Sequence, residues 1–152
     1  MREQRRGRKI AMTKEELDEF LASERTCRVA TIGHDGSPHT TPLWFTWDGT
    51  SLWLTSIIKS QRWTDLARDN RVSVIVDAGE DYFQLRGAEL RGTAVPVGEV
   101  PRTGEPVPEL DHVERLHADK YAGGQIHHDG RHAWLRVTPD KITSWDFRKS
   151  GG

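Results

Sequence analysis

Polar and hydrophobic residues alternate with a period of two through much of the chain after residue 26. In the first run, Cys27, Val29 and Thr31 share one face and the intervening residues share the other, as in a half-buried β-strand. The sequences HDGS at residues 34–37 and DG at residues 48–49 are typical of hairpin turns. The pattern predicts strands over residues 27–32, 39–47, 51–56, 71–76, 82–95, 132–137 and 141–146.

Three other segments have hydrophobic residues at helical spacing. Thr13 and Glu16 form the pattern of a capping box, and a hydrophobic stripe then continues to about residue 23. Two further helices are predicted over residues 60–69 and 109–121. The stripes of these three helices consist of Leu17, Phe20 and Leu21, of Trp63, Leu66 and Ala67, and of Leu110, Val113 and Leu116.

The number and length of the strands favour a small barrel. Short antiparallel strands leave unpaired edges, and closure of the sheet removes them. Gly87 and Gly92, within the longest predicted strand, suit a bulge or a sharp bend at a barrel corner. We therefore predict a mainly β fold with a few short helices, a six- to seven-stranded antiparallel split β-barrel. Residues 96–108 contain four Pro and two Gly and are predicted to be a surface loop, a candidate lid.

Composition and charge narrow the classes of protein. The 152 residues, 35% of them hydrophobic, suffice for one core, so we predict a single domain over residues 12–148. Residues 1–11 are basic and are predicted to be a disordered arm, either a solvated extension or a contact for an acidic surface; residues 149–152 are a flexible tail. Because 22 Lys and Arg balance 23 Asp and Glu, nucleic-acid binding is not expected outside that arm.

The cysteine content and hydropathy bear on location. Cys27 is the only cysteine, which excludes an internal disulfide and fits a reducing compartment. No hydrophobic run reaches the length of a membrane span, and the N-terminus lacks the hydrophobic region of a secretory signal. The expectation is a cytoplasmic protein that does not contact a membrane.

The junction between the predicted strand 51–56 and the helix after it carries the candidate chemistry. Ser60 is a plausible helix N-cap, so the first-turn N–H groups, Lys59 and Arg62 could converge on one anion such as a phosphate. A capped surface helix with two solvated cations is the alternative that this segment leaves open.

Four segments in order resemble the pyridoxamine-5′-phosphate-oxidase-like flavin-binding split barrels. They are VATIGHDGSPHTTPLWFTWDG, LWLTS, SQRWTDLARDNRVSV and DYFQLRGAELRGTAV, which together span about half of the chain. Within that family the chain is similar to the small reductases that use the deazaflavin coenzyme F-420, with FMN users as close relatives. The resemblance implies a homodimer with the cofactor in a groove at the subunit interface, and a phosphate held by Ser60 and Arg62.

Two positions depart from the family pattern. The residues expected to contact the flavin ring are given only by the resemblance. Arg62 stands where Lys is common and keeps the charge, whereas Asp65 stands where Asn is common and would repel a phosphate unless it points away or pairs with a cation. The resemblance places the flavin ring along the second and third strands, against Pro42, Leu43, Trp44, Thr55 and Ser56. Trp44 and Pro42 face opposite to Leu43, so one set fills the barrel and the other faces the groove, and Trp44 could equally serve core or dimer packing.

The histidines and the cysteine suggest no other chemistry. His127, His128 and His132 lack a completing carboxylate or thiolate in sequence and are predicted to lie in a polar loop, so no metal site is expected. His117 and the remaining isolated histidines lack the nucleophile and orienting acid of a hydrolase. Cys27 is expected to be a small buried residue.

The function expected from the resemblance is hydride transfer from reduced F-420, or from reduced FMN, to a small unsaturated or carbonyl-like substrate. The cofactor would supply the chemistry, so no catalytic side chain is required. The alternative is a non-catalytic protein that binds a cofactor or haem in the same groove.

Overall fold

The structure, a computed structural model, describes residues 1–150. This range contains seven antiparallel strands and three α-helices, joined by turns and loops. The helices are α1 (Lys14–Ser23), α2 (Gln61–Arg68) and α3 (Pro108–Tyr121). The strands are β1 (Thr26–Ile32), β2 (Pro38–Trp44), β3 (Thr46–Trp47), β4 (Leu52–Ile57), β5 (Arg71–Ala78), β6 (Arg86–Val97) and β7 (His132–Asp146). No helix in this range combines the length and hydrophobicity needed to cross a membrane.

The strands form one curled sheet in the order β2-β1-β5-β6-β7-β4-β3, a half-barrel of the mainly β class predicted. Alternate residues of the strands point inward and pack with α1 in the main core, as the period of two requires. A second, smaller hydrophobic cluster joins α3 to the outer side of the sheet and consists of Trp53, Val97, Leu110, Val113 and Trp134.

The predicted capping box is confirmed, and so is the bulge at Gly92, whereas β6 keeps its register at Gly87. Thr13 Oγ1 accepts a hydrogen bond from the Glu16 N–H, and the Glu16 carboxylate accepts one from the Thr13 N–H. The ladder between β6 and β7 shifts register between Arg91 and Gly92. A Cβ on Gly92 would overlap the carbonyl oxygen of Thr138, which explains the glycine there.

The predicted strand 39–47 is interrupted at Phe45, and the cause is tertiary. The Tyr121 hydroxyl accepts a hydrogen bond from the Phe45 N–H at 3.1 Å, and its oxygen lies 2.7 Å from the Phe45 carbonyl oxygen and 2.6 Å from that of Arg25, the two acceptors for its one hydrogen. The phenyl ring of Phe45 is fully buried. Because α3 satisfies the backbone of this residue, the chain leaves the ladder and resumes as β3.

Two other strand boundaries differ from the prediction. Residues 82–84 form a 3-10 turn, so β6 starts only at Arg86, after the tight approach of Gly79 to Gln84. Residues 132–146 form one continuous strand, although Pro139 interrupts the hydrophobic pattern. Pro139 stands opposite Gly92 at the register shift, where the ladder is already irregular.

The segment predicted to be a disordered arm lies along β7. The Arg2 N–H donates to the Asp140 carbonyl, and the Gln4 side-chain amide both donates to and accepts from the backbone of Ser144. This part of β7 extends beyond the end of β4, so its edge is open to such contacts. Of the predicted flexible tail, Lys149 and Ser150 belong to a 3-10 turn, and residues 151–152 lie outside the described range.

Lys120 links α3 to the end of α1 and to the strand break. Its Nζ lies 3.2 Å from the Leu21 carbonyl oxygen, 3.4 Å from that of Phe45 and 4.0 Å from the centre of the Phe45 ring. Burial, together with the charge of Arg25, lowers the pKa of the Lys120 ammonium from 10.5 to about 8.

We expect this lysine to make the fold more stable at alkaline pH. The folded pKa lies below the unfolded one, so the unfolded state binds more protons between pH 8 and 10.5 and the free energy of unfolding rises across that range. The rise is at most about 3 kcal/mol. Urea unfolding at about pH 8 and about pH 10 measures it as the difference between the wild type and the Lys120→Met variant, because the raised pKa of the Cys27 thiol lowers the free energy of unfolding over this range in both proteins. The same change with pH in both proteins would contradict this assignment.

Candidate functional site

The half-barrel is open along a seam between its two edges. One edge is β2, and the other is the part of β4 beyond Trp53, which has no strand on its outer side among residues 1–150. Arg62, from the first turn of α2, joins these edges: its Nε donates to Ser56 Oγ on β4 at 3.1 Å, and its Nη1 donates to Thr41 Oγ1 on β2 at 2.7 Å. The arginine predicted to bind phosphate is therefore held at the seam.

Arg62 is a buried cation whose partners are neutral. It is 9% exposed, and within residues 1–150 it forms no ion pair, whereas the other buried arginine, Arg102, is paired with Glu99 and Glu114. Burial lowers the pKa of the Arg62 guanidinium. An uncompensated buried charge is costly, so this position suits an anionic ligand.

One nitrogen of Arg62 remains available. Nε and Nη1 are committed, and Nη2 makes no hydrogen bond within residues 1–150. In the same range, Arg136 Nε is the only fully buried side-chain nitrogen or oxygen without a partner, so Nη2 keeps some contact with solvent. The guanidinium is thus fixed in place by two hydroxyls with a donor left for an anion.

The N-terminus of α2 adds to this positive region. Ser60 caps the helix, as predicted, and its Oγ accepts a hydrogen bond from the Trp63 N–H at 3.1 Å. Ser56 Oγ lies 3.4 Å from Ser60 Oγ, which links the cap to the Arg62 hydrogen bonds. The first turn of a helix presents N–H groups and a partial positive charge to anions. Lys59 is exposed beside this turn.

Asp65 does not oppose an anion here. Its carboxylate accepts hydrogen bonds from Thr31 at 2.8 Å, Gln61 at 2.8 Å and Arg68 at 3.1 Å, on the side of α2 that faces β1. Burial raises the pKa of the Asp65 carboxyl, but these three hydrogen bonds outweigh it and the pKa is lowered. The departure from the family pattern is compensated within the protein.

A cavity of about 260 Å³ lies on the other side of β4. Its wall is largely aromatic: Trp44 stacks on Tyr121 with ring centres 4.3 Å apart, and His117 meets Trp134 edge to face at 5.2 Å. Trp44 is 48% exposed, so much of its indole is open to a ligand. The lining consists of Trp44, Thr55, Arg102, Glu114, His117, Ala118, residues 125–129, His132 and Trp134.

The predicted ring contacts separate into two groups. Thr55 and Trp44 line the cavity, and Pro42 is exposed on the same face of β2 as Trp44. Ser56 points inward to Arg62, because neighbouring residues of a strand face opposite ways. Leu43 packs against the main core and not in the groove. Pro42 and Trp44 are therefore the residues of β2 that face outward, and Leu43 faces the core.

Glu114 organises the far end of the cavity. Its carboxylate accepts from Arg102 through two nitrogens at 2.9 and 3.0 Å, from Trp134 Nε1 at 3.0 Å, and lies 2.9 Å from His128 Nε2. Burial raises the pKa of the Glu114 carboxyl, but these contacts lower it overall. Arg102 belongs to the loop proposed as a lid, so that loop is anchored to α3.

The histidine-rich segment also lies in the wall of this cavity. His132 Nδ1 is 2.6 Å from an Asp129 carboxylate oxygen, and His128 contacts Glu114. No group of three or more His, Cys, Asp or Glu side chains among residues 1–150 could hold a metal ion. These histidines serve as polar lining of the cavity.

Several residues of the site were not predicted. Thr41 has no local signature, because its partner Arg62 is distant in sequence. The stripe formed by Glu114, His117, Ala118 and Tyr121 does have one, a helical spacing of three and four residues on α3. The hydrophobic stripe predicted for α3 is confirmed for Leu110 and Val113, but Glu114 is buried and Leu116 is only partly buried.

The two parts of the site suit a ligand with a phosphate and a planar ring. Adjacent residues of β4, Ser56 and Thr55, reach the Arg62 cluster and the cavity respectively. A volume of 260 Å³ falls below the roughly 300–1,000 Å³ of pockets that enclose whole drug-sized ligands. Thr55 on the cavity side of β4 and Ser56 on the Arg62 side are neighbours in sequence, so the two parts of the site meet along the free edge of this strand.

Both the sequence and the fold are similar to those of known proteins. A sequence family described as pyridoxamine 5′-phosphate oxidase matches residues 13–146. A solved structure of a conserved hypothetical protein from Mycobacterium tuberculosis is 33% identical, with a TM-score of 0.81 over 98% of this chain and 93% of that one. No curated protein sequence matches the chain.

Two more distant structures share the fold. One, described as an F-420 reductase, is 23% identical with a TM-score of 0.60, over 82% of this chain and 94% of that one. The other, the haem storage protein HutZ from Vibrio cholerae, is 14% identical with a TM-score of 0.66, over 84% of this chain and 91% of that one. At these identities the likeness concerns the fold alone.

Proposed function

The chain belongs to the pyridoxamine 5′-phosphate oxidase family, and on that basis we propose that it is a flavin-type oxidoreductase. The proposed reaction is hydride transfer to a small unsaturated or carbonyl-like organic substrate, for which reduced deazaflavin coenzyme F-420, or reduced FMN, would supply the hydride when bound. Arg62 carries the proposal, because a buried guanidinium that forms no ion pair and keeps an unbonded nitrogen suits an anionic ligand. The phosphate common to both cofactors supplies one.

The protein residues bind and orient. Arg62, Ser60 and the first turn of α2 hold the phosphate, with Lys59 close enough to add charge. Trp44, Trp134 and Thr55 enclose the ring and limit the access of water to one of its faces. The bound cofactor supplies the redox chemistry.

The proposal includes a homodimer with the groove at its interface. Two observations support it: β2 is an open sheet edge, and Trp44 is half exposed beside it. A cytoplasmic location is proposed because the single cysteine, Cys27, forms no disulfide within the chain.

A titration followed by tryptophan fluorescence tests the cofactor. Because Trp44 and Trp134 line the cavity, we expect strong quenching at micromolar concentrations by FMN or by F-420. Quenching by one compound alone names the cofactor. The Trp44→Phe variant, which removes one indole from the cavity wall, should show weaker quenching at saturation, with the affinity measured separately by ultrafiltration. An absence of binding by both compounds would contradict the proposed function.

A non-catalytic protein that binds a cofactor or haem is the second candidate. The histidines in the cavity wall favour it, since imidazole nitrogen is a common iron ligand. The two functions differ in turnover: an oxidoreductase reoxidises its bound reduced cofactor when an acceptor such as a quinone or a nitroaromatic compound is added. A cofactor that binds tightly and stays reduced, or hemin that binds more tightly than both flavins, would favour this candidate.

A further inference from the structure

His117 stands at the point where α3, β3 and the cavity meet. Its Nδ1 lies 3.1 Å from Thr46 Oγ1, and its ring packs between Tyr121 at 4.9 Å and Trp134 at 5.2 Å. Thr46 is 2% exposed, and His117 is its only side-chain hydrogen-bond partner among residues 1–150. The imidazole is therefore fixed in position and orientation by three neighbours.

The Thr46 contact determines which imidazole nitrogen carries the proton. If Nδ1 carried it and donated to Thr46, the hydroxyl hydrogen of Thr46 would be buried without an acceptor, which is unfavourable. If Thr46 donates to Nδ1, both groups are satisfied. The neutral imidazole then has its hydrogen on Nε2.

The Nε2–H group faces the cavity. His117 lines the cavity, and its Nε2 makes no hydrogen bond within residues 1–150. Since Arg136 Nε is the only buried side-chain nitrogen or oxygen without a partner in that range, Nε2 is open to the cavity space. The neighbouring His128 and His132 are instead bonded to Glu114 and Asp129.

We propose that His117 is a specificity-determining residue that donates a hydrogen bond from Nε2 to a carbonyl oxygen at the edge of a planar ring bound in the cavity. This inference rests on the proposed function, since both flavins and deazaflavins have such carbonyl groups on the ring. The donor is neutral: burial, and then the charge of Lys120, lower the pKa of the His117 imidazolium, with Glu114 acting in the opposite direction. His117 thus selects a ligand by its acceptor atom and does not serve as a proton source.

The hydrogen position is measured in the ligand-free protein. In protein with ¹⁵N-labelled histidine, the two ring nitrogens of His117 should have the chemical shifts of the Nε2–H form, and the Thr46→Val variant should lose this fixed preference. Addition of FMN should shift the Nε2 resonance. An Nδ1–H form would overturn the inference, because it leaves a lone pair on Nε2 that suits an iron ligand better than a carbonyl.

Affinity provides the second readout. His117→Phe keeps an aromatic ring and removes the donor, so FMN should bind about three- to tenfold more weakly. His117→Gln places an amide N–H near the original donor and should recover part of the loss. Equal affinity of wild type and His117→Phe for FMN would overturn the inference and leave the proposed function intact. Failure of the wild type to bind FMN and F-420 would overturn both.

Discussion

Replacement of Glu114 by alanine is expected to lower the free energy of unfolding by about 3 kcal/mol, because it removes a buried carboxylate that accepts hydrogen bonds from Arg102 and Trp134 and leaves the Arg102 charge only partly compensated. In this variant Arg102 would keep its ion pair with Glu99 but lose both hydrogen bonds to the Glu114 carboxylate. Trp134 Nε1 would lose its hydrogen-bond acceptor. In a chain of this length the melting temperature should fall by about 10 °C. Chemical and thermal unfolding followed by circular dichroism measure both quantities.

Glu109→Ala is the matched control for this variant. Glu109 lies on the same helix, and its carboxylate pairs with Arg136 at 3.2 Å while the side chain is 62% exposed. A solvent-exposed pair of this kind contributes about 0–1 kcal/mol. A loss below about 1 kcal/mol for both variants would show that the Glu114 network does not anchor the loop to α3.

Replacement of Arg62 by alanine is expected to weaken FMN or F-420 binding by about 2 kcal/mol, or about thirtyfold, through loss of a charge-assisted phosphate contact. Arg62→Lys keeps the charge but loses the fixed guanidinium geometry, so its affinity should lie between those of the wild type and Arg62→Ala. Arg71→Ala is the control, since Arg71 follows α2 in sequence and its exposed side chain pairs with Asp69 at 2.7 Å. Fluorescence titration of the three variants gives the affinities, and circular dichroism verifies that each one folds.

The sequence predicted those parts of the fold that depend on local patterns. The Thr13 and Ser60 caps, the strand alternation and the bulge near Gly92 each follow from residues a few positions apart. The break at Phe45 could not be predicted in this way, because it depends on Tyr121, which lies far along the chain. The order of the first residues also depends on a distant contact. Their composition suggested disorder, but the Gln4 side chain hydrogen-bonds to the backbone of Ser144, which is far along the chain.

The same distinction between local and distant contacts applies to the residues of the site. Ser60 and Arg62 belong to one motif and were predicted together, but Thr41, which fixes the guanidinium, comes from another strand. Leu43 was predicted to contact the ring but packs against the main core. Alternation shows that Leu43 and Trp44 lie on opposite faces of β2, but it does not show which face is buried. His117 was passed over as isolated in sequence, because its partner Thr46 is brought close only by packing of α3 on β3.

The most direct test of the phosphate site compares four affinities, those of wild type and Arg62→Ala for FMN and for riboflavin, which lacks the phosphate. If Arg62 binds the phosphate, its removal weakens FMN binding about thirtyfold and leaves riboflavin binding nearly unchanged, so the two changes are strongly coupled. If Arg62 serves only to join Thr41 and Ser56 across the seam, the variant weakens both ligands equally, and that result would contradict the assignment of an anion site to this arginine.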